Sequence, residues 1–156
     1  MNDEAAAATL LLSTFQLGDA TYGVDTMCVQ EVVRAVRLTP VHHAPDYIRG
    51  VMNLRGRIVT VIDLATKIGL DSQSDALDGR IMIVDGQGEQ IGVFVDAVSD
   101  VVSPDEAELS PVPANIPGAQ QRYYSGVCRG NGEIITVLNL AAVLAVETAD
   151  AKDDES

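Results

Sequence analysis

The chain has 156 residues, of which 47% are hydrophobic and 21% are charged, which fits one ordinary globular domain and excludes a disordered, collagen-like or coiled-coil chain. Its 10 basic and 23 acidic side chains give a net charge of −13, which argues against nucleic acid as a partner because nucleic acid selects basic surfaces. No apolar stretch approaches the roughly 20 residues that cross a bilayer, so we expect a cytoplasmic protein with no direct membrane insertion.

Short runs rich in Val, Ile, Leu and Thr predict a mostly β fold. In chain order, strands are predicted at 10–17, 21–25, 58–62, 80–84, 91–95 and 133–138. Turn-forming residues at 18–19 and 85–88 predict two hairpins. Short helices are predicted after the capping residues Asp63, Ser103 and Asn139, and the proline-containing stretch 110–121 is predicted to be irregular.

An internal repeat is the most informative feature of the chain. Residues 50–65 match residues 126–141 at a constant offset of 76, with eight identities in sixteen positions. A second match, at an offset of 69, aligns 23–33 with 92–102 and places Phe94 opposite Asp25. Units of about 50 residues bury little core alone, so we expect two intertwined copies, roughly 14–69 and 80–146, with an Asp- and Ser-rich linker between them.

Chemistry-bearing motifs are sparse. His42 and His43 are adjacent, so on an extended chain their side chains point in opposite directions and suit one metal ion poorly. Cys28 and Cys128 are isolated in sequence and are expected to be small buried residues rather than a disulfide or zinc ligands. Asp25 begins a segment similar to an aspartic-protease signature, but Met27 replaces the glycine that follows in that motif. We therefore predict no catalytic residue, no cofactor and no metal, and we expect a binding module.

Charge is distributed unevenly along the chain. Residues 31–57 contain five arginines against two acids, which is a basic island in an acidic protein. The planar guanidinium of arginine can donate two hydrogen bonds to one carboxylate, so the island could orient an acidic partner surface. It could equally serve only to keep that region soluble. The end of the chain, 148–156, is Asp-rich and is predicted to be a flexible acidic tail.

An ordered series of motifs resembles the CheW family of chemotaxis coupling proteins across 14–147, which leaves 1–13 as an extension. The motifs that carry the resemblance are Tyr22-Gly23-Val24-Asp25, Val29-Gln30-Glu31-Val32, Asn53-Leu54-Arg55-Gly56, Ile62-Asp63-Leu64, Ile91-Gly92 through Asp100-Val101, and Leu138-Asn139-Leu140. Two positions depart from the pattern: Thr60 stands where a proline is common, and Asn139 stands where an aspartate is common.

The resemblance implies two small five-stranded, SH3-like β-barrels packed around a shared hydrophobic core, in a protein that is not an enzyme. It further implies an adaptor that joins the cytoplasmic tips of chemoreceptors to the regulatory domain of the histidine kinase CheA. By resemblance, the receptor-binding positions are Glu31, Gly50, Arg55, Gly92, Val98 and Val101. The kinase-binding positions are Thr26 and Val29.

Two alternatives stay open from the sequence. The same fold could serve a chemotaxis-like pathway that controls pili or gene expression. A different class, a small metal- or ligand-binding β protein, would use His42, His43 and Cys28. Each carried-over residue also has a structural interpretation: Glu31 and Arg55 could form a surface ion pair, the glycines could be required by backbone geometry, and the valines could belong to the core.

Overall fold

The computed structural model of the chain describes residues 11–70, 78–86, 88–105, 109–112 and 118–144. Ten strands, two short helices and two 3₁₀ turns make up this part of the chain. The strands are β1 (Leu12–Leu17), β2 (Ala20–Asp25), β3 (Val29–Arg34), β4 (Ile48–Leu54), β5 (Arg57–Asp63), β6 (Arg80–Gly86), β7 (Glu89–Val95), β8 (Ala97–Val102), β9 (Tyr124–Gly130) and β10 (Glu133–Leu138). The helices are α1 (Leu64–Lys67) and α2 (140–144), and the 3₁₀ turns are Thr26–Cys28 and Gly118–Tyr123.

The strands form two five-stranded sheets that each mix the two halves of the sequence. One sheet has the order β8-β1-β2-β10-β9 and the other has the order β3-β6-β7-β5-β4. At the repeat offsets, strands β1 to β5 correspond in order to strands β6 to β10. Replacing each strand by its counterpart turns the strand order of the first sheet into that of the second. The parallel pairs keep the same register: Thr60 lies opposite Ile91 on one side and Thr136 lies opposite Tyr22 on the other. The internal duplication is therefore built into the fold, with strands exchanged between the copies.

Each sheet curls around apolar side chains of its own strands, and we call the two units barrel A (β1, β2, β8, β9, β10) and barrel B (β3 to β7). The interior of barrel B contains Met52, Leu54, Val59, Val61, Ile81, Ile83 and Phe94. The interior of barrel A contains Leu12, Val102, Cys128, Ile135 and Val137. A third and larger cluster lies between the barrels and takes residues such as Phe15 and Val24 from one sheet and Met82 and Val95 from the other. The predicted pair of small barrels on a shared hydrophobic core is confirmed.

Alternation along the strands explains this three-core arrangement. On β5, Val59 and Val61 point into barrel B, whereas Ile62 points into the shared core. A strand with apolar residues on both faces is buried on both faces. The edge strand β3 has only half-buried or exposed residues, because one of its faces and its outer edge lie toward solvent. Its weak apolar signal explains why it is missing from the predicted strands.

The predicted strands are confirmed, with ends that shift by up to two residues, while β3, β4, β8 and β9 were missed. Helix starts are confirmed at the two repeat-related caps, where the Asp63 carboxylate accepts from the Thr66 amide at 3.2 Å and the Asn139 side-chain oxygen accepts from the Ala142 amide at 3.1 Å. The departure at Asn139 thus keeps the capping function. Residues 103–105 are not helical, so the helix start predicted at Ser103 is wrong over those positions.

Several expectations fall on residues outside the described ranges. These are the chain start to residue 10, most of the predicted linker, the centre of the proline-containing stretch and the acidic tail. Within the described part, no helix is long and apolar enough to cross a membrane.

Candidate protein-binding surface

A charge pair links the edge strand β3 of barrel B to the β4–β5 hairpin, which ends the strand order on the other side. The Arg55 guanidinium donates from both terminal nitrogens to the two carboxylate oxygens of Glu31, with Nη1 to Oε1 at 3.4 Å. Arg55 sits at the β4–β5 turn with a φ of +50°, and Asn53 stabilises that turn by accepting the Gly56 amide at 2.9 Å. The hairpin tip is thereby held against β3, and the two side chains predicted from the family motif are brought together.

The pair remains accessible to a partner. The Arg55 side chain is 67% exposed and that of Glu31 is 31% exposed. Hydrogen bonding to Glu31, followed by its charge, raises the pKa of Arg55 above its usual value, so the guanidinium stays charged at every accessible pH. A planar, permanently charged fork of this kind suits recognition of a carboxylate on another protein.

Four arginines of the basic island, Arg34, Arg37, Arg55 and Arg57, are exposed. The fifth, Arg49, is wrongly assigned to an exposed surface by the sequence pattern. Its side chain is only 17% exposed, its Nε lies 2.9 Å from Asp63 Oδ2, and its Cζ lies 3.7 Å from the centre of the Phe94 ring.

Gly50 and Gly92 are both buried, and neither presents a side chain to a partner. Gly50 has a φ of +145°, and a Cβ there would lie 2.5 Å from the Thr39 carbonyl oxygen. A Cβ on Gly92 would lie 2.9 Å from Ile81 Cγ2 and 3.0 Å from Val61 Cγ2, inside barrel B. Both positions require glycine for close packing. The two glycines therefore support the surface through the backbone and not through a side chain.

The remaining predicted receptor-binding residues lie on β8, the edge strand of barrel A. Val98 pairs with Phe15 of β1 and packs against the shared core. Val101 lies three residues further on and is 55% exposed. The predicted receptor-binding residues are thus divided between the two barrels, and β8 is the repeat counterpart of the edge strand β3 that carries Glu31. Of the two valines, only Val101 has a largely exposed side chain.

The two predicted kinase-binding residues lie at the 3₁₀ turn between the barrels: Thr26 begins the turn and Val29 follows it. The Thr26 hydroxyl lies 2.8 Å from the Ser13 hydroxyl, and its amide donates to the Leu11 carbonyl at 3.0 Å. Val29 begins β3 and packs against the shared core. Between them, Met27 is 89% exposed, which makes it the more available apolar contact of this turn.

Residue-by-residue prediction missed several exposed apolar side chains, among them Met27, Val32 and Ile58. Ile58 is 68% exposed and lies three residues after Arg55; its repeat counterpart Ile134 is 56% exposed. Val32 is 42% exposed and corresponds to Val101. The signal was present in the sequence, since Ile58 must face outward if its neighbour Val59 faces inward. Exposed apolar residues beside charge are typical of protein-binding surfaces.

The residues that could carry other chemistry do not come together. Among the described residues, no group of three or more His, Cys, Asp or Glu side chains could hold a metal ion. His42 and His43 are exposed on a loop, and the two cysteines are free thiols. Burial raises the pKa of Cys28 above that of an ordinary thiol, with a smaller contribution from the charge of Asp25. A raised pKa disfavours the nucleophilic thiolate.

Two fused β-barrels with exposed charged and apolar contact residues define a protein-binding scaffold. A family profile described as CheW-like domain matches residues 12–148. The chemotaxis protein CheW of Rhizobium meliloti is 29% identical over 140 residues, covering 90% of each chain. That of Treponema pallidum is 30% identical over 133 residues, covering 83% of this chain and 78% of its own.

The crystal structure of the scaffolding protein TtCheW from Thermoanaerobacter tengcongensis matches with a TM-score of 0.76 and 32% identity over 86% of each chain. The chain belongs to the CheW family and is a chemotaxis scaffold protein rather than an enzyme.

Proposed function

We propose that the chain is a cytoplasmic adaptor that couples the cytoplasmic tips of chemoreceptors (methyl-accepting chemotaxis proteins) to the regulatory domain of the histidine kinase CheA, and that it is recruited to membrane-associated receptor arrays. Membership of a scaffold family supports this assignment. Coupling by a scaffold needs two separate contact surfaces, one for each partner. No cofactor, metal or nucleic acid takes part in the proposed role.

The observation that carries the receptor contact is the Glu31–Arg55 pair on barrel B. The pair is exposed and is held in place by a tight turn, and the exposed Ile58 follows Arg55 by three residues along the same hairpin. In a protein–protein contact, an apolar side chain contributes binding affinity, and a charged side chain helps to fix the orientation of the partner. Gly50 and Gly92 maintain the backbone beneath this surface, while Val98 and Val101 would extend the contact along β8.

The kinase contact is proposed at the turn between the barrels, where Thr26 and Val29 flank the exposed Met27. Methionine adapts its shape to an apolar partner surface. Contacts with receptor and kinase on different parts of the chain would allow both to bind at once. Each interface would be small and individually weak, and an array of many copies would strengthen the assembly through multivalency.

The test is a titration of the chain with a chemoreceptor tip fragment and, separately, with the CheA regulatory domain. Both are expected to bind at micromolar to high-micromolar concentration. Arg55→Glu reverses the exposed charge and is expected to weaken the receptor complex while leaving the kinase complex unchanged. Arg129→Glu makes the same change on an exposed position of barrel A and serves as the control. Failure of the wild-type chain to bind either partner would refute the proposal.

A further inference from the structure

A groove opens at the end of barrel A, where β2, β10 and α2 meet. Its volume is about 320 Å³. Leu12, Val137 and Leu140 contribute apolar side chains, and Asp25 lies at its edge as the one charged residue of the lining within the described chain. Pockets that bind small groups begin at about 300 Å³ and combine an apolar floor with a few polar groups. The groove has both properties.

The duplication shows what occupies the same place in barrel B. At the repeat offsets, Asp25 of barrel A corresponds to Phe94 of barrel B. The lining residues Ser125 and Asn139 correspond to Arg49 and Asp63. Phe94 is 2% exposed and fills the barrel end.

In barrel B, the guanidinium carbon of Arg49 lies 3.7 Å from the centre of the Phe94 ring, and its Nε is 2.9 Å from the Asp63 carboxylate. Barrel B therefore carries an internal plug made of an aromatic ring, a cation over that ring and a carboxylate. Barrel A lacks the ring and the cation at the matching positions.

The groove is large enough for what barrel A lacks. A cavity of about 150 Å³ lined by apolar side chains accommodates a benzene ring, so the volume here admits an aromatic side chain together with part of a basic one. The charge also fits: barrel A has Asn139 in place of the Asp63 carboxylate, but Asp25 supplies a carboxylate to the lining of the groove. The Asp25 Oδ1 accepts from the Met27 amide at 3.0 Å, which holds that carboxylate beside the opening. Met27 itself is 89% exposed next to it.

We propose that this groove binds an aromatic side chain of a partner protein whose neighbouring basic residue pairs with Asp25. The partner segment would supply to barrel A the ring and the cation that Phe94 and Arg49 supply to barrel B from within. The groove is separate from the Glu31–Arg55 surface, which belongs to barrel B. A receptor contact at Arg55 could therefore fail while the groove still binds, and the reverse also holds.

The test uses the capped dipeptide acetyl-phenylalanyl-arginine amide as the probe, added to the full chain at millimolar concentration. Methyl NMR is expected to show saturable shifts at Leu12, Val137 and Leu140, with smaller or no shifts at Ile58. The peptide with alanine in place of phenylalanine should bind at least about tenfold more weakly, since the aromatic burial is lost. The peptide with glutamate in place of arginine should bind about two- to fivefold more weakly, as expected for loss of an exposed charge pair.

Two variants test the site on the protein side. Asp25→Asn keeps the capping oxygen and removes the charge, so it should reduce the preference for arginine over glutamate, whereas Asp85→Asn on the exposed part of β6 should not. The double change Asp25→Phe with Ser125→Arg copies the plug of barrel B and should abolish the shifts.

Four results would overturn the proposal. They are the absence of methyl shifts at millimolar probe, equal binding of the three peptides, shifts that persist in the folded double variant, and self-association of the wild type that the double variant abolishes. The last result would assign the groove to a second copy of the chain.

Discussion

Replacing Gly50 by alanine tests whether this residue acts through the fold or through a direct partner contact. Its φ of +145° lies in a region that residues with a Cβ rarely adopt, and the added Cβ would lie 2.5 Å from the Thr39 carbonyl oxygen. That carbonyl accepts from the Val51 amide at 2.9 Å, and the Thr39 amide donates to the Val51 carbonyl at the same distance. The substitution must therefore strain the backbone and also displace a hydrogen-bonded bridge.

The cost follows from these two effects. An unfavourable backbone conformation costs about 1 to 3 kcal/mol, and loss of two hydrogen bonds adds about 1 to 3 kcal/mol. Gly50→Ala is therefore expected to lower the free energy of unfolding by about 2 to 6 kcal/mol. Gly56 lies in the same hairpin with a φ of +88° and has open space around the position of a Cβ. Gly56→Ala is thus the matched control, with an expected cost of about 1 to 2 kcal/mol.

Urea unfolding followed by circular dichroism measures both variants. With a slope of about 2 kcal/mol per molar urea, Gly50→Ala should lower the midpoint by about 1 to 3 M and Gly56→Ala by about 0.5 to 1 M. Gly126→Ala should behave like Gly50→Ala, because its φ is +156° and its Cβ would lie 2.7 Å from the Ser110 carbonyl oxygen. Equal midpoints for the Gly50 and Gly56 variants would refute this reasoning and favour a direct contact role for Gly50.

Three further predictions concern buried and titrating groups. Asp63→Ala removes the carboxylate that lies 2.9 Å from Nε of the largely buried Arg49, and it also removes a helix cap. It should therefore cost more in urea unfolding than Asn139→Ala, which removes only the equivalent cap and should cost about 1 kcal/mol. Equal losses would contradict the buried-pair account. The Cys28 thiol, whose pKa is raised by burial, should react with iodoacetamide at pH 8 more slowly than free cysteine, and an equal or faster rate would contradict its environment. Burial raises the pKa of Tyr124 to about 12, so the stability contributed by the neutral Tyr124 phenol is present below pH 10 and is lost as the pH rises toward 12. Absorbance titration of the tyrosines should show a high-pH component that Tyr124→Phe removes. A titration profile unchanged by Tyr124→Phe would count against this burial.

The repeat made the overall fold predictable. Matches at two offsets implied two copies, and the family resemblance implied two barrels with a shared core. Exchange of strands between the copies is set by pairing across distant segments, such as Thr60 with Ile91, and local sequence patterns do not specify such pairing. Strands β4 and β8 contain charged, polar or glycine residues at several positions, so their apolar alternation is too weak to reveal them.

The binding surface was only partly predictable, for a similar reason. The motif placed Glu31 and Arg55 at one site, and the structure joins them through a turn that motif spacing alone could not position. Arg49 illustrates the opposite case: by composition it belongs with the exposed arginines, but stacking on Phe94 and pairing with Asp63 make its burial possible. Tertiary partners decide whether an arginine is buried, and these partners come from distant parts of the sequence.

The central claim is that one molecule of this chain bridges receptor and kinase, and a three-component retention assay tests it directly. An immobilised chemoreceptor tip fragment should retain the CheA regulatory domain well above background when the chain is added, and only weakly without it. Arg55→Glu should reduce that retention while its binary complex with the kinase domain stays intact, and Arg129→Glu should behave like wild type. Retention of the kinase domain that does not depend on the chain, or that is undiminished by Arg55→Glu, would contradict the account.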